Sequence, residues 1–214
     1  MATSTTTWVR VHRSGSGAIV VSAISCKLVP GNHALQATTT KRPLWTANSG
    51  KPYLLFDGTD DALVSPFIPG SAGTIAIAAK VPASVAATGI MIGGGTTVGN
   101  KRCRIVMNIS GKPSFDFNTS AIQSGINDYR NADVVAAMTW GGGVVRFYES
   151  GLLIAEQSVA ANMDGTGSGF ALAAIEGGSG TFFAGGIYAA LALSRFATPA
   201  EIAGITSLFQ RTYQ

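Results

Sequence analysis

The chain has 214 residues, 46% of them hydrophobic and only 12% charged, with 27 glycines and a net charge of +4. That length fills one β-sandwich core but not two such domains, and the charged fraction is about half the ~25% of ordinary soluble domains, so much of the surface must be Ser, Thr, Gly and Ala. No stretch reaches the ~20 apolar residues of a membrane-spanning helix, and Cys26 and Cys103 lack metal-ligand spacing and are too few for a disulfide framework, so both are expected as buried thiols.

In chain order, residues 1–7 are polar and carry no core-forming side chain, as an arm held by something else would be. Residues 8–11 alternate as a strand, Gly15-Ser16-Gly17 turns, and 18–24 is a second strand; the apolar run is too short, and Ala23 too poorly placed before Cys26, for a lipidated leader. Residues 1–56 hold six basic groups and no acid, whereas 57–214 hold nine basic and eleven acidic ones, so the N-terminal segment is +6 and the remainder −2. Arg10 and Arg13 flank His12 at the end of the first strand, and this basic segment, 1–30, is expected to dock the protein onto a partner or to complete its own sheet. Without aromatic interleaving or a recognisable motif it is not expected to bind nucleic acid. His12 and His33 have no third ligand nearby and are read as ordinary polar contacts.

Residues 53–64 read as a strand, a tight acidic corner at Asp57-Gly58, and a second strand, with Leu54 and Phe56 alternating against Leu55. Beyond it, 74–80 places Ile75 and Ile77 on one face with small residues opposite, and Pro82 ends the run. Residues 90–92 lead into Gly93-Gly94-Gly95, read as a turn. Residues 102–109 alternate with Cys103, Ile105, Met107 and Ile109 inward, which puts Arg102, Arg104 and Asn108 on the outer face as a second basic ladder. Lys112-Pro113 turns into a strand at 114–117. A meander follows: a strand at 133–140, a turn at Gly141-Gly142-Gly143, a strand at 144–148, a turn at Ser150-Gly151 and a strand at 152–154. Closing strands are expected at 170–175 and 182–193. Thr198-Pro-Ala-Glu201 is a capping box with proline at the first helical position, and Ile202, Ile205, Leu208 and Phe209 share one face of the helix it starts.

The aromatic-Asp-Gly-x-x-Asp corner at 56–61, the lead-in at 31–38, 41–43 and 50–52, the late meander, Gly185-Gly186-Ile187 and the terminal Glu201-Ile202 helix occur in an order that resembles the concanavalin A-like (laminin-G-like) jelly-roll domains, over residues 31–210. Ser150 stands where that family's turn carries asparagine, and Gly151 still supplies the left-handed geometry. The resemblance implies an all-β jelly-roll sandwich of about a dozen strands with one short C-terminal helix, as one domain over 31–214. No internal repeat of 20–50 residues points to a propeller or solenoid.

Because the fold it resembles includes glucanases, the resemblance admits catalysis. Retaining hydrolysis needs two carboxyl groups ~5–5.5 Å apart, and none of Glu149, Glu156, Glu176 and Glu201 shares a strand with another acid at such spacing. No enzyme activity is expected. The glycine triplets lack the lysine and hydroxyl residue of a phosphate loop. Asp57, Asp60 and Asp61 could offer oxygens to calcium, but aspartates also build turns by bonding their own backbone, and that structural reading is preferred. An exposed aromatic platform would signal sugar binding; Trp45, Trp140 and Tyr148 are instead expected in or beside the core.

Standalone domains of this size and without a leader resemble proteins of tailed-phage particles. The leading expectation is therefore a non-catalytic virion component, a capsid decoration, collar or tail protein, contacting other virion proteins in a homo-oligomer or repeated assembly through Arg10, His12, Arg13, Arg102 and Arg104. The alternative is a glycan-binding adhesin on the same fold, with a cell-surface glycan as partner, and a glycoside hydrolase comes third.

Overall fold

Strand alternation sets the layers, and one strand shows how. In the run Thr74-Ile-Ala-Ile-Ala-Ala, Ile75 and Ile77 enter the main core while Ala76 and Ala78 face a second, smaller one on the opposite side. The computed structural model describes residues 34–48, 51–68, 70–96, 101–118, 121–159, 163, 167–175 and 177–213, all within one unit, Asn32–Gln214. The strands expected at 8–11 and 18–24, the arm 1–7, and Arg10, His12, Arg13, Cys26 and His33 lie outside the described residues.

Thirteen strands and one helix are described. They are β1 Leu44–Asn48, β2 Lys51–Asp57, β3 Leu63–Val64, β4 Gly73–Lys80, β5 Gly89–Thr96, β6 Lys101–Met107 and β7 Pro113–Phe117. There follow β8 Ala121–Ser124, β9 Asp133–Gly141, β10 Val144–Glu149, β11 Leu152–Ser158, β12 Ser168–Leu172, β13 Ala184–Leu193 and α1 Pro199–Tyr213. Seven strands form one antiparallel sheet in the order β1-β2-β13-β4-β9-β10-β11, and six form the other, β3-β12-β5-β6-β7-β8. The protein is a jelly-roll β-sandwich with one C-terminal helix, as its sequence pattern implies.

The corner at Asp57 joins the layers, because β2 belongs to the seven-stranded sheet and β3 to the six-stranded one. Gly58 turns it at φ +77°, and a Cβ there would stand 2.7 Å from that of Ala184, so both conformation and space demand glycine. Between the sheets, Phe56, Met91, Ile105, Phe115, Phe117, Trp140 and Phe147 are buried, and the Trp140 indole donates to Gly70 O at 2.9 Å. Cys103 is buried in the same core, as expected. Both meander turns carry two left-handed residues, Gly142-Gly143 and Ser150-Gly151, as tight hairpins need.

On the far side of the seven-stranded sheet, α1 packs Ile202 and Phe209 onto Ala76, Ala78, Val135 and Ala137. The capping box forms as expected: the Glu201 amide donates to Thr198 Oγ1 at 3.3 Å and the Thr198 amide donates to Glu201 Oε2 at 2.8 Å.

Several expectations are corrected. Ile109 is 64% exposed, because β6 ends at Met107 and Asn108 opens a turn by accepting from the Ser110 and Lys112 amides. Leu208 is 54% exposed, and Thr206 is buried in its stead. Gly93-Gly94-Gly95 is not a turn but the middle of β5: a Cβ on Gly94 would meet the Phe170 ring at 2.6 Å, so glycine there admits a close-packed aromatic. Trp140 and Tyr148 are buried as expected, but Trp45 is 67% exposed.

Candidate functional site

Two surfaces of the sandwich carry binding chemistry, one on each sheet. The first is the outer face of the six-stranded sheet, which has no helix over it among the described residues. Cross-strand partners share a face, so the register Gly93↔Arg104↔Asp116↔Ile122 forms one row and Val106↔Ser114↔Ser124 the next. Arg102 lies two residues from Arg104 on the same side. Its Nε donates to Asp116 Oδ2 at 2.8 Å, and Arg104 Nη1 stands 4.0 Å from the same oxygen. Opposite Arg104, a Cβ on Gly93 would approach its Cγ to 3.2 Å, so the glycine gives the arginine stem room to lie across β5. Arg104 is thereby 8% exposed yet lines a hollow of about 280 Å³ together with Thr88, Asn108, Ser114, Asp116 and Thr181. Asn108 Nδ2 donates to Ser114 Oγ at 3.0 Å.

The second surface is the flank at β1. Trp45 pairs with Leu54, which pairs with Ile187, so its side chain stands on the core-facing side of its sheet. But β1 is the outermost described strand, and the opposing sheet ends in the two-residue β3, leaving little among the described residues to cover the ring. Beside it is a hollow of about 340 Å³ lined by Pro52, Leu54, Leu172 and Ile187 among others. Tyr53 and Tyr188 stand on the opposite, helix-side face of the sheet, where their rings meet edge to face at 5.5 Å and the Tyr188 hydroxyl donates to Asp133 Oδ1 at 2.9 Å.

The acidic corner folds on itself. Asp57 Oδ1 accepts from the Thr59 and Asp60 amides at 2.8 and 3.3 Å, and Asp61 Oδ2 accepts from the Asp57 amide at 3.1 Å. The Thr59 amide leads in holding Asp57 below the usual carboxylate range. Burial is the main cause pushing Asp61 above it, and the charges of Asp57 and Asp60 push the same way. One carboxylate oxygen from each of the three lies within 4.8 Å of the others, but Asp61 is buried and their bonds run to the corner's own backbone.

Elsewhere the acids hold structure. Glu149 is buried and accepts from the Ile126 amide at 2.7 Å, the Asn127 amide at 3.0 Å, Asn127 Nδ2 at 2.6 Å and the Tyr129 hydroxyl at 3.0 Å. Glu156 pairs with Arg146, and Glu201 with Arg195.

Of the residues nominated from sequence, the structure brings Arg102 and Arg104 together on one face and gathers Asp57, Asp60 and Asp61 at the corner; Arg10, His12 and Arg13 lie outside the described residues. Sequence reasoning missed Asp116, although Phe115 and Phe117 pointing inward require Ser114 and Asp116 to point outward, onto the strand beside the two arginines. It also missed the exposure of Trp45.

No protein-family model matches the sequence, and no curated protein matches it either. Solved structures do resemble the fold. A Trypanosoma rangeli sialidase in complex with 2,3-difluoro-KDN superposes with a TM-score of 0.59 at 11% identity, over 75% of this chain and 28% of that one. The CBM40 of Ruminococcus gnavus IT-sialidase gives 0.53 when bound to α2,3-sialyllactose, at 15% identity over 64% of this chain and 83% of that one. Bound to α2,6-sialyllactose it gives 0.53, at 18% identity over 64% and 84%. The chain thus spans little more than a quarter of the sialidase but most of the CBM40. At such identities the likeness establishes the class, a β-sandwich of the kind that includes the CBM40.

Proposed function

We propose that the protein is a carbohydrate-binding module that docks a sugar ring on Trp45. The observation that carries this reading is the exposure of that ring, 67%, beside a hollow lined by Pro52, Leu54 and Leu172. A large aromatic side chain left in water on a preformed hollow suits a ligand with an apolar C–H face and a polar rim, which is the chemistry of a pyranose. The sialyllactose-bound CBM40 neighbours support the same reading, because the chain spans most of those domains. The module is read as non-catalytic, since the described glutamates are engaged as structural acceptors or ion-pair partners.

A role on a tailed-phage virion, among repeated copies of the chain, stands second. It rests on the resemblance of domains of this size to concanavalin-like proteins of such particles, and the solved neighbours favour glycan binding over it.

Calorimetric titration of the full chain with lactose, 3′-sialyllactose and 6′-sialyllactose, repeated on Trp45→Ala, tests the reading. At least one sugar should bind, and removing the ring should weaken it by about 2 kcal/mol, roughly thirtyfold, as for a buried aromatic anchor. Unchanged affinity in Trp45→Ala would remove the ring from the site.

A further inference from the structure

We infer that the hollow beside Trp45 continues into an apolar slot for an aliphatic chain, so that the ligand is an amphiphilic glycoside, its sugar on Trp45 and its chain between the sheets. The sugar half of this inference rests on the glycan-binding reading; the slot is defined by other residues.

The slot opens where two strands part. The described pairing of β2 with β13 ends at Ile187, whereas β4 follows β13 to Leu193. Ala190 and Ala192 pair with the core residues Ile77 and Ile75 and so stand on the core-facing row, yet Ala190 is exposed and Ala192 only half-buried. Against that row lies a hollow of about 500 Å³, walled by Phe67, Ile92, Phe170, Leu172, Ala190 and Ala192. Leu172 and Ala190 also line the hollow beside Trp45, so the two meet along β13. From Ile187 to Ala192 the strand runs roughly 15 Å, which suits an extended chain better than a single ring.

The lining selects the chemistry. Among the described residues no charged side chain lines the slot; Ser65 Oγ accepts from the Phe67 amide at 3.3 Å, and Ser194 is exposed just past the end of β13. A second sugar ring there would bury hydroxyls without partners, which is unfavourable, whereas methylenes gain by leaving water. The Phe67 and Phe170 rings stack at 5.7 Å, and Phe170 and Ile92 are buried. The wall is therefore formed before a ligand arrives, which lowers the entropy lost on binding. An exposed ring at one end and apolar cover at the other match a polar head and an aliphatic tail.

The test titrates the full chain, labelled with 15N and with 13C in its methyl groups, and follows Trp45 Nε1–H and the Ile92 δ1-methyl by NMR. The probes are methyl β-lactoside, 3′-sialyllactose, octyl β-lactoside and octyl tetraethylene glycol ether, the octyl compounds kept below their micelle concentrations. Octyl β-lactoside should move both signals and bind about tenfold or more tighter than methyl β-lactoside, the equivalent of about two buried methylenes. The octyl ether, which has no sugar, should move Ile92 and leave Trp45 still. Ala192 lines the slot but not the Trp45 hollow, so Ala192→Phe should fill the slot and abolish the octyl gain while methyl β-lactoside binds as before. If that variant does not fold, the Ile92 shift in the parent decides alone. Octyl β-lactoside no tighter than the methyl compound, or Ile92 unmoved by both octyl compounds, overturns the inference, and the glycan reading still stands if sugars move Trp45. If the octyl compounds move Ile92 and no sugar moves Trp45, the slot remains an apolar site, but the glycoside falls together with the Trp45 reading.

Discussion

The outer faces of the two sheets obey the same alternation rule and end in opposite chemistry. Behind the seven-stranded sheet the outward positions are Ala76, Ala78, Val135 and Ala137, small enough for α1 to seat Ile202 and Phe209 against them. On the six-stranded sheet the corresponding positions are Arg102, Arg104, Ser114 and Asp116, with Gly93 as floor, and no described helix lies over them. Small apolar outward residues therefore mark the face that α1 covers, and mixed polar ones the face over which no described helix lies.

The largest expected effect breaks the covered side. Ile202→Ala empties a fully buried position and should cost about 2–5 kcal/mol in urea unfolding, whereas Ile122→Ala, on the open face, should stay within about 0.5 kcal/mol. Equal costs would mean that the faces do not differ in coverage as described.

Glu149 comes next, because Glu149 pairs with the core residue Ala136 and so points between the sheets, where it holds the loop after β8. Glu149→Gln replaces one acceptor oxygen by a donor facing the Ile126 and Asn127 amides, and should cost about 1–3 kcal/mol. Amide exchange at those two positions should accelerate along with the loss. Protection retained there would show that the loop is held by other contacts.

Thr198→Ala removes the cap of α1 and should cost about 1 kcal/mol. Glu201 reports on the same cap through pH: Arg195 chiefly, and the Thr198 amide, bring its pKa down to about 2 from 4.5. A depressed carboxylate stabilises the fold above its unfolded pKa and loses that contribution as pH falls from about 4.5 through about 2. Glu201→Gln should flatten the stability profile in that window, and a profile as steep as the parent's would contradict the assignment.

The smallest effect concerns the acidic corner. A metal chelator should leave the melting temperature unchanged, since a calcium ion at 100 times its Kd would stabilise by about 2.7 kcal/mol and be easily seen on removal. Burial raises the pKa of Asp61, so its charged form opposes folding at neutral pH, and that opposition fades as the group protonates on acidification. Asp61→Asn keeps an acceptor for the Asp57 amide and should be neutral or slightly stabilising at pH 7; clear destabilisation would give the charge a positive role.

The layers of the fold were legible because they rest on local rules. Alternation in 74–80 and 102–107, paired left-handed residues at 142–143 and 150–151, and the Thr198 capping box each specify their element from a few neighbouring residues. The candidate sites were legible only in part. Arg102 and Arg104 could be placed on an outer face, but their shared partner Asp116 required pairing β6 with β7 across the Asn108 turn. Trp45 could not be read correctly from its type, because large rings usually find cover; its exposure follows from β1 being the outermost described strand, opposite a strand of two residues, a property of both sheets together. The glycine triplet in β5 misled for a similar reason: what excludes a side chain at Gly94 is Phe170, distant in sequence.

The most direct test of the central claim is a glycan array probed with the fluorescently labelled full chain beside its Trp45→Ala variant. Carbohydrate binding predicts that the parent marks a defined set of glycans and that Trp45→Ala loses signal across that set. A parent that binds no glycan on the array, while remaining folded by its unfolding transition, would contradict the account.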